Sequence, residues 1–414
     1  MPKVWFRIAL INFFIAAVMG AILRYAFVEE ISWLKFRYFL HGHSHVAMLG
    51  WLYLGLYALL VHSFLPEVRQ HSPFYRNNFI VAQASVVGML IAFPIQGYGA
   101  WSIVFSTLHG LASYFFAYRF WKDMIKDGKA SSRFVRTALL FMIFSTLALW
   151  AMPPIMLGGL QGKAIYYMTV QFYLHFQFNG WFIFAVLALF FKLLENHGIS
   201  VATRPIFRFF WLLTVATLFT YALAVAWAEP LPAVFAINSL GVGLQLAALA
   251  FFAAIVMRSH QKIQEQLSGW GLLLIKIAFA CFALKVLVQT AVIIPYIATV
   301  AYTIRNFVIG FIHLILLGII TQFVLGYGIL NNLLSIRSSF TRMGLLLLLA
   351  GFFGSELLLF LQGTLFWAAL GFVPFYYEGL FCISALIPVG ILMILLGRRR
   401  NAPNTIPPPY SAVR

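Results

Sequence analysis

Charge is scarce in this chain: 28 basic and 10 acidic residues among 414, or 9%. A soluble domain carries about 25% charged residues, so the two or three globular domains that the length would otherwise allow are excluded. The same apolarity excludes an intrinsically disordered chain, which needs low hydrophobicity to stay unfolded. Cysteine is scarcer still: Cys281 and Cys382 both lie inside apolar stretches, and two thiols build no disulfide scaffold. The apolar stretches also run too long for the roughly ten-residue alternating strands of a transmembrane β-barrel. What fills the chain is 63% hydrophobic residues, with a mean hydropathy of +0.93. This is the composition of an all-α polytopic membrane protein. The net charge of +18 reads as a topology signal and not as a nucleic-acid surface, because the basic residues sit between apolar stretches.

A crossing takes ~20 mostly apolar residues. Twelve such stretches can be marked, at residues 4–27, 41–66, 78–98, 101–121, 134–157, 167–194, 207–228, 232–256, 270–295, 305–331, 340–364 and 372–397. The first outruns a signal-peptide core and no small-residue cleavage site follows it, so it is expected to be a retained span. Of the 28 basic residues, 21 fall at the N-terminus, in the even-to-odd connections and at the C-terminus. Arg24, Lys35, Arg37, Lys163 and Arg305 fall in the opposite connections, and Lys276 and Lys285 lie inside the ninth span. That bias predicts both termini in the cytoplasm. Residues 1–397 read as one transmembrane domain and 398–414 as a basic, proline-containing cytoplasmic tail.

Ionisable groups within a membrane are functional hypotheses by default. Of ten histidines, His62, His71, His197 and His260 fall near cytoplasmic connections and read as interfacial residues. The other six, His41, His43, His45, His109, His175 and His313, lie early in spans 2, 4, 6 and 10, which share one direction. They are therefore expected at one depth, in the outer third of the bilayer. The local sequences agree as well. His45 precedes Gly50 and Trp51, His175 precedes Gly180 and Trp181, and His313 precedes Gly318, giving His-x4-Gly three times at separations of 130 and 138 residues. Each separation covers four spans, so the chain divides into three blocks of four. The glycine beneath each histidine would let a flat ligand or a neighbouring helix approach the backbone. Imidazole is a common ligand of transition metals and of haem iron.

His43, Ser44 and His45 followed by Gly50 and Trp51 resemble the helix 2 signature of the haem–copper oxidase catalytic subunit (subunit I), especially its small cbb-type and NnrS-like relatives. The stretch from Leu174 to Trp181 is similar to the helix 6 motif of those relatives, and His313 with Gly318 resembles part of the helix 10 motif. The resemblance implies twelve transmembrane helices in three pseudo-symmetric four-helix arcs. It also implies one bis-histidine b-type haem on His45 and His313, acting in electron transfer or in dioxygen or nitric-oxide reduction. Two departures limit it. The seventh span, Phe207 to Ala228, has no histidine where the family has a copper-binding pair, and Phe311 stands where the second helix 10 histidine belongs. A complete copper–haem centre is therefore not implied. His175 matches the family's helix 6 copper ligand. With His109 and His43 it could form another copper or substrate site; otherwise these residues are interhelical contacts or proton-relay members.

Lys285, Glu356 and Glu378 are intramembrane charges, for which a Lys285–glutamate pair is the least costly arrangement and a proton path the functional one. Arg305 and Arg37 are candidates for pairing with haem carboxylates, or plain interface anchors. The competing readings are a twelve-helix secondary transporter and an inactive oxidase-like assembly or sensing subunit. The expected partners are membrane lipids, a redox partner such as cytochrome c or quinol, or other membrane subunits, and the expected location is a cell inner membrane.

Overall fold

The structure, a computed structural model, describes residues 1–125 and 127–397; the tail 398–414 expected from the sequence lies outside the described residues. Among them no strand occurs and twelve long helices follow one another. They are α1 (Pro2–Tyr25), α2 (Phe36–Phe64), α3 (Pro73–Gln96), α4 (Ala100–Asp123), α5 (Ala130–Leu157) and α6 (Ala164–Asn196). The second half comprises α7 (Thr203–Ala226), α8 (Pro232–Gln266), α9 (Gly269–Ala291), α10 (Arg305–Leu330), α11 (Ser339–Trp367) and α12 (Tyr376–Leu396). Eleven are long and apolar enough to cross a membrane. The exception is α4, as long as α1 but enriched in serine and carrying His109. Helices are what an apolar chain must form in lipid, since each satisfies its own backbone polar groups. Start signals are local: Pro73 and Pro232 open α3 and α8, and Ser72 and Ser338 accept from Phe74 N and Phe340 N. Two features exceed the sequence reading. The 35-residue α8 outlasts a bilayer, and a nine-residue helix, Pro295–Thr303, fills the α9–α10 connection.

The neighbours repeat every four helices. α2 packs between α1 and α3, α6 between α5 and α7, and α10 between α9 and α11. α4, α8 and α12 lie against α3, α7 and α11, and α12 returns to α1. The middle helix of each set turns inward, and α2, α6 and α10 meet at the centre. Their lower halves, the C-terminal ends, are sealed: Leu54, Leu56 to Val61, Ala185, Leu189, Phe323 and Tyr327 are at 0–1% exposure.

Each central helix widens at the same point. π-helical turns run over Val46–Tyr53, Phe176–Phe182 and Leu314–Thr321, each beginning at the residue after His45, His175 or His313. A π turn frees backbone carbonyls from the regular ladder, and side chains take several of them. Asn12 Nδ2 donates to Gly50 O at 3.0 Å, Thr321 Oγ1 to Leu316 O at 2.8 Å and Gln322 Nε2 to Leu317 O at 3.1 Å. Trp51 Nε1 joins the first turn to the third through Thr321 Oγ1 at 2.9 Å.

Candidate functional site

Above the π turns the interior opens. Of the ten residues Phe36–His45 only Phe39 and Gly42 are buried. Of Ala164–His175 only Thr169 and His175 are, and of Arg305–His313 none. Central helices sealed below and partly accessible above define a cleft, open at the end where α2, α6 and α10 begin. The histidines lie at its floor, in three seams between neighbouring sets of helices.

The seam between α10–α11 and α1–α2 holds His43 and His313. His43 Nδ1 is 2.8 Å from Ala16 O on α1, which accepts its proton and leaves Nε2 free. Its ring fits because Gly20 is bare: a methyl there would come 3.0 Å from His43 Cε1. His313 Nδ1 faces Glu356 Oε1 at 3.7 Å, an ion-pair distance beyond hydrogen-bond reach. Arg24, from the top of α1, lies within range of the charges of His43, His313, Glu356 and Arg305. Sequence reasoning counted Arg24 only among the basic residues of the connections on the less basic side. Its signal was position, a lone cation one turn beyond the apolar core of α1. Arg37 and Arg305 are exposed at the upper ends of their helices.

The seam between α2–α4 and α6 holds His45 and His109. His45 Nδ1 donates to His41 O at 2.9 Å, and its ring stacks on Phe93 at 4.2 Å. His109, 2% exposed, meets Tyr53 edge-on at 4.7 Å, with Trp181 6.2 Å beyond. His109 Nε2, Tyr53 Oη and Trp181 Nε1 are buried without a hydrogen-bond partner. His45 is within charge range of His109 and, on this face, does not share the seam of His313.

The third seam, between α6–α8 and α9, holds His175 and Lys285. His175 Nε2 donates to Thr217 O at 2.7 Å, and Asn179 Nδ2 lies 3.4 Å from Nδ1, so both ring nitrogens are engaged. Lys285 is fully buried and its Nζ has no partner. Asn238 Nδ2 donating to Val292 O fixes the α8–α9 register and sets Gln245 level with Lys285. The expected Lys285–glutamate pair does not form: Glu356 turns to His313, and Glu378 is exposed in the first turn of α12.

His43, His109 and His175, grouped from sequence as a copper site, thus occupy three different seams. Among the described residues no three His, Cys, Asp or Glu side chains converge closely enough to hold a metal ion. Gly50 and Gly318, expected beside a cofactor or a neighbouring helix, lie against neighbouring helices. A methyl on Gly50 would lie 2.8 Å from Val86 Cγ1, and one on Gly318 2.7 Å from Phe352 Cζ, so neighbouring helices fill the space a ligand would need. Gly326, in the Gly-Tyr-Gly stretch of α10, likewise abuts Gly271 of α9. No family model and no curated protein matches the sequence.

Proposed function

We propose that the protein is a haem-binding redox protein of a bacterial-type inner membrane, with twelve crossings in three arcs of four and both termini cytoplasmic. A haem iron takes an imidazole through one ring nitrogen while a carbonyl or carboxylate holds the other. His43 and His313 fit that requirement: Ala16 O and Glu356 face their Nδ1 atoms, Nε2 is free on each, and the two share one seam at the cleft floor. This pairing carries the reading. It replaces His45 by His43 as the partner of His313, for a geometric reason. Residues two apart on a helix point to opposite sides, and His45 turns to Phe93 and His109.

Bound there, a b-type haem would supply one-electron exchange. The chain's own residues would hold and screen it: Arg24 and Arg305 offer cations to its carboxylates at the open end, and the sealed lower half excludes water beneath it. The dispersed histidines do not fit a three-imidazole copper site. The reading is therefore electron transfer, or reduction of dioxygen or nitric oxide, without a copper–haem centre.

The test is the reduced-minus-oxidised spectrum of protein purified from haem-replete cells. A b-type band is expected in the wild type, lost in His43→Ala and His313→Ala and kept in His45→Ala and His62→Ala. A colourless wild type overturns the haem reading in favour of a transporter. Loss in His45→Ala with retention in His43→Ala would return the ligand to His45.

A further inference from the structure

At the opposite end of the molecule from the cleft, a cavity of about 380 Å³ lies where the α4–α5 connection meets the end of α6 and the α6–α7 connection. Its inner wall is apolar, formed by Phe191, Leu194 and Ile199, all at most 4% exposed. Its rim carries Lys129 and Arg133. The one carboxylate lining it, Glu195, is already occupied: Ser131 N and Ser131 Oγ donate to it at 3.1 and 2.6 Å. Lys129 has only a loose, 3.9 Å contact with Asp127 and keeps about half its side chain exposed. Arg133 forms no ion pair among the described residues; its guanidinium sits 5.8 Å from the Phe207 ring centre. Gly198, at φ +64°, turns the chain sharply to close one side of the cavity.

A free solute of either character would use half of this site. An inorganic anion would leave the apolar wall wet, and an apolar molecule would leave Arg133 without a counter-charge and Lys129 with only its loose contact to Asp127. We infer that the cavity binds the headgroup end of an anionic glycerophospholipid, with the phosphate between Lys129 and Arg133 and the glycerol–acyl junction against Phe191, Leu194 and Ile199. The surroundings agree with that occupant. The cavity lies at the ends of three apolar helices, on the side where 16 of the 23 described basic residues collect, the side that the proposed topology sets against an anionic leaflet.

Native mass spectrometry of the full-length protein in mild detergent tests this, with phosphatidylglycerol and phosphatidylcholine offered in turn. The wild type retains a phosphatidylglycerol that the Lys129→Gln/Arg133→Gln variant loses, with affinity falling about fivefold per cation removed. Phosphatidylcholine adducts stay the same in both, and added inorganic phosphate does not displace the lipid. The Arg258→Gln/Lys262→Gln variant, which removes two exposed cations elsewhere on the same side, keeps the lipid. Equal retention in the Lys129/Arg133 variant, equal loss in both double variants, or displacement by phosphate would each overturn the assignment.

Discussion

The glycine of each His-x4-Gly unit and the histidine above it do different work. The histidines face the seams between helices, His175 with both ring nitrogens engaged there, whereas Gly50, Gly180 and Gly318 are places where one helix backbone meets another's side chains. A methyl on Gly180 would lie 2.6 Å from Phe141 Cγ, as close as those on Gly50 and Gly318 lie to Val86 and Phe352. Alanine at any of the three is overpacking, which costs about 1–3 kcal/mol. Gly243 of α8 has nothing within 4 Å, so alanine there removes only the entropic cost of a helical glycine and gains about 0.5–1 kcal/mol. Thermal unfolding in detergent should therefore fall for Gly50→Ala, Gly180→Ala and Gly318→Ala and rise for Gly243→Ala. Unchanged melting of Gly318→Ala with an altered haem spectrum would mean that the glycine faces the ligand after all. The histidines could be read from sequence because an imidazole in an apolar run has no trivial explanation. The direction each ring takes could not, since it depends on Ala16 and Glu356, 27 and 43 residues away from the histidines they face. Lys285 misled for the same reason, since its pairing depends on which face of α11 Glu356 occupies.

The π turns were invisible in the sequence. Nothing in Val46–Tyr53, Phe176–Phe182 or Leu314–Thr321 departs from ordinary apolar helix composition, and hydrophobic periodicity does not register one extra residue per turn. What the sequence did carry was their consequence, the same spacing below three histidines four spans apart. A π turn is commonly a single-residue insertion that leaves both flanking helical segments in place. Removing one residue inside it should let α10 close as a regular α-helix without turning His313 relative to the sealed half below. Leu316 is partly exposed, so little packing is lost with it. Removing Leu325, from the sealed segment at 0% exposure, instead rotates everything above it by about 100°. Size-exclusion profiles should therefore show a monodisperse protein after deletion of Leu316 and an aggregated one after deletion of Leu325. Equal disruption by both deletions would mean that the wide turn is itself required for folding.

The topology of the whole chain turns on α4, the long helix whose composition alone does not qualify it as a span. If α4 fails to cross, every connection after it changes sides relative to the first three spans, and the basic bias, 20 residues to 6, then favours the face opposite the N-terminus. Its contacts argue that it crosses. It runs antiparallel along all of α3: Tyr75 Oη donates to Asp123 Oδ2 at 3.0 Å near one end, Asn78 Nδ2 to Ala112 O at 2.9 Å further along, and Ser102 Oγ to Gly97 O at the other end. Twenty-four residues rise ~36 Å, enough for a hydrocarbon core of ~30 Å. Its low apolarity comes from the inward face, where Ser102, His109 and Ser113 are buried; the outward face shows Ile103, Val104, Leu111 and Phe115, exposed by 39–62%. A helix that turns polar residues inward and apolar ones outward suits lipid and not water. With α4 across and the N-terminus cytoplasmic, as proposed, the α5–α6 connection at Gly162 is expected outside and the α6–α7 connection at Gly198 inside. Truncations fused to alkaline phosphatase and to green fluorescent protein should read accordingly in a bacterial host, phosphatase-active at Gly162 and fluorescent at Gly198. Fusions before Ala100 and fusions at Gly162 and Gly198 that are reversed relative to each other, one group as expected and the other inverted, would put α4 on the membrane surface.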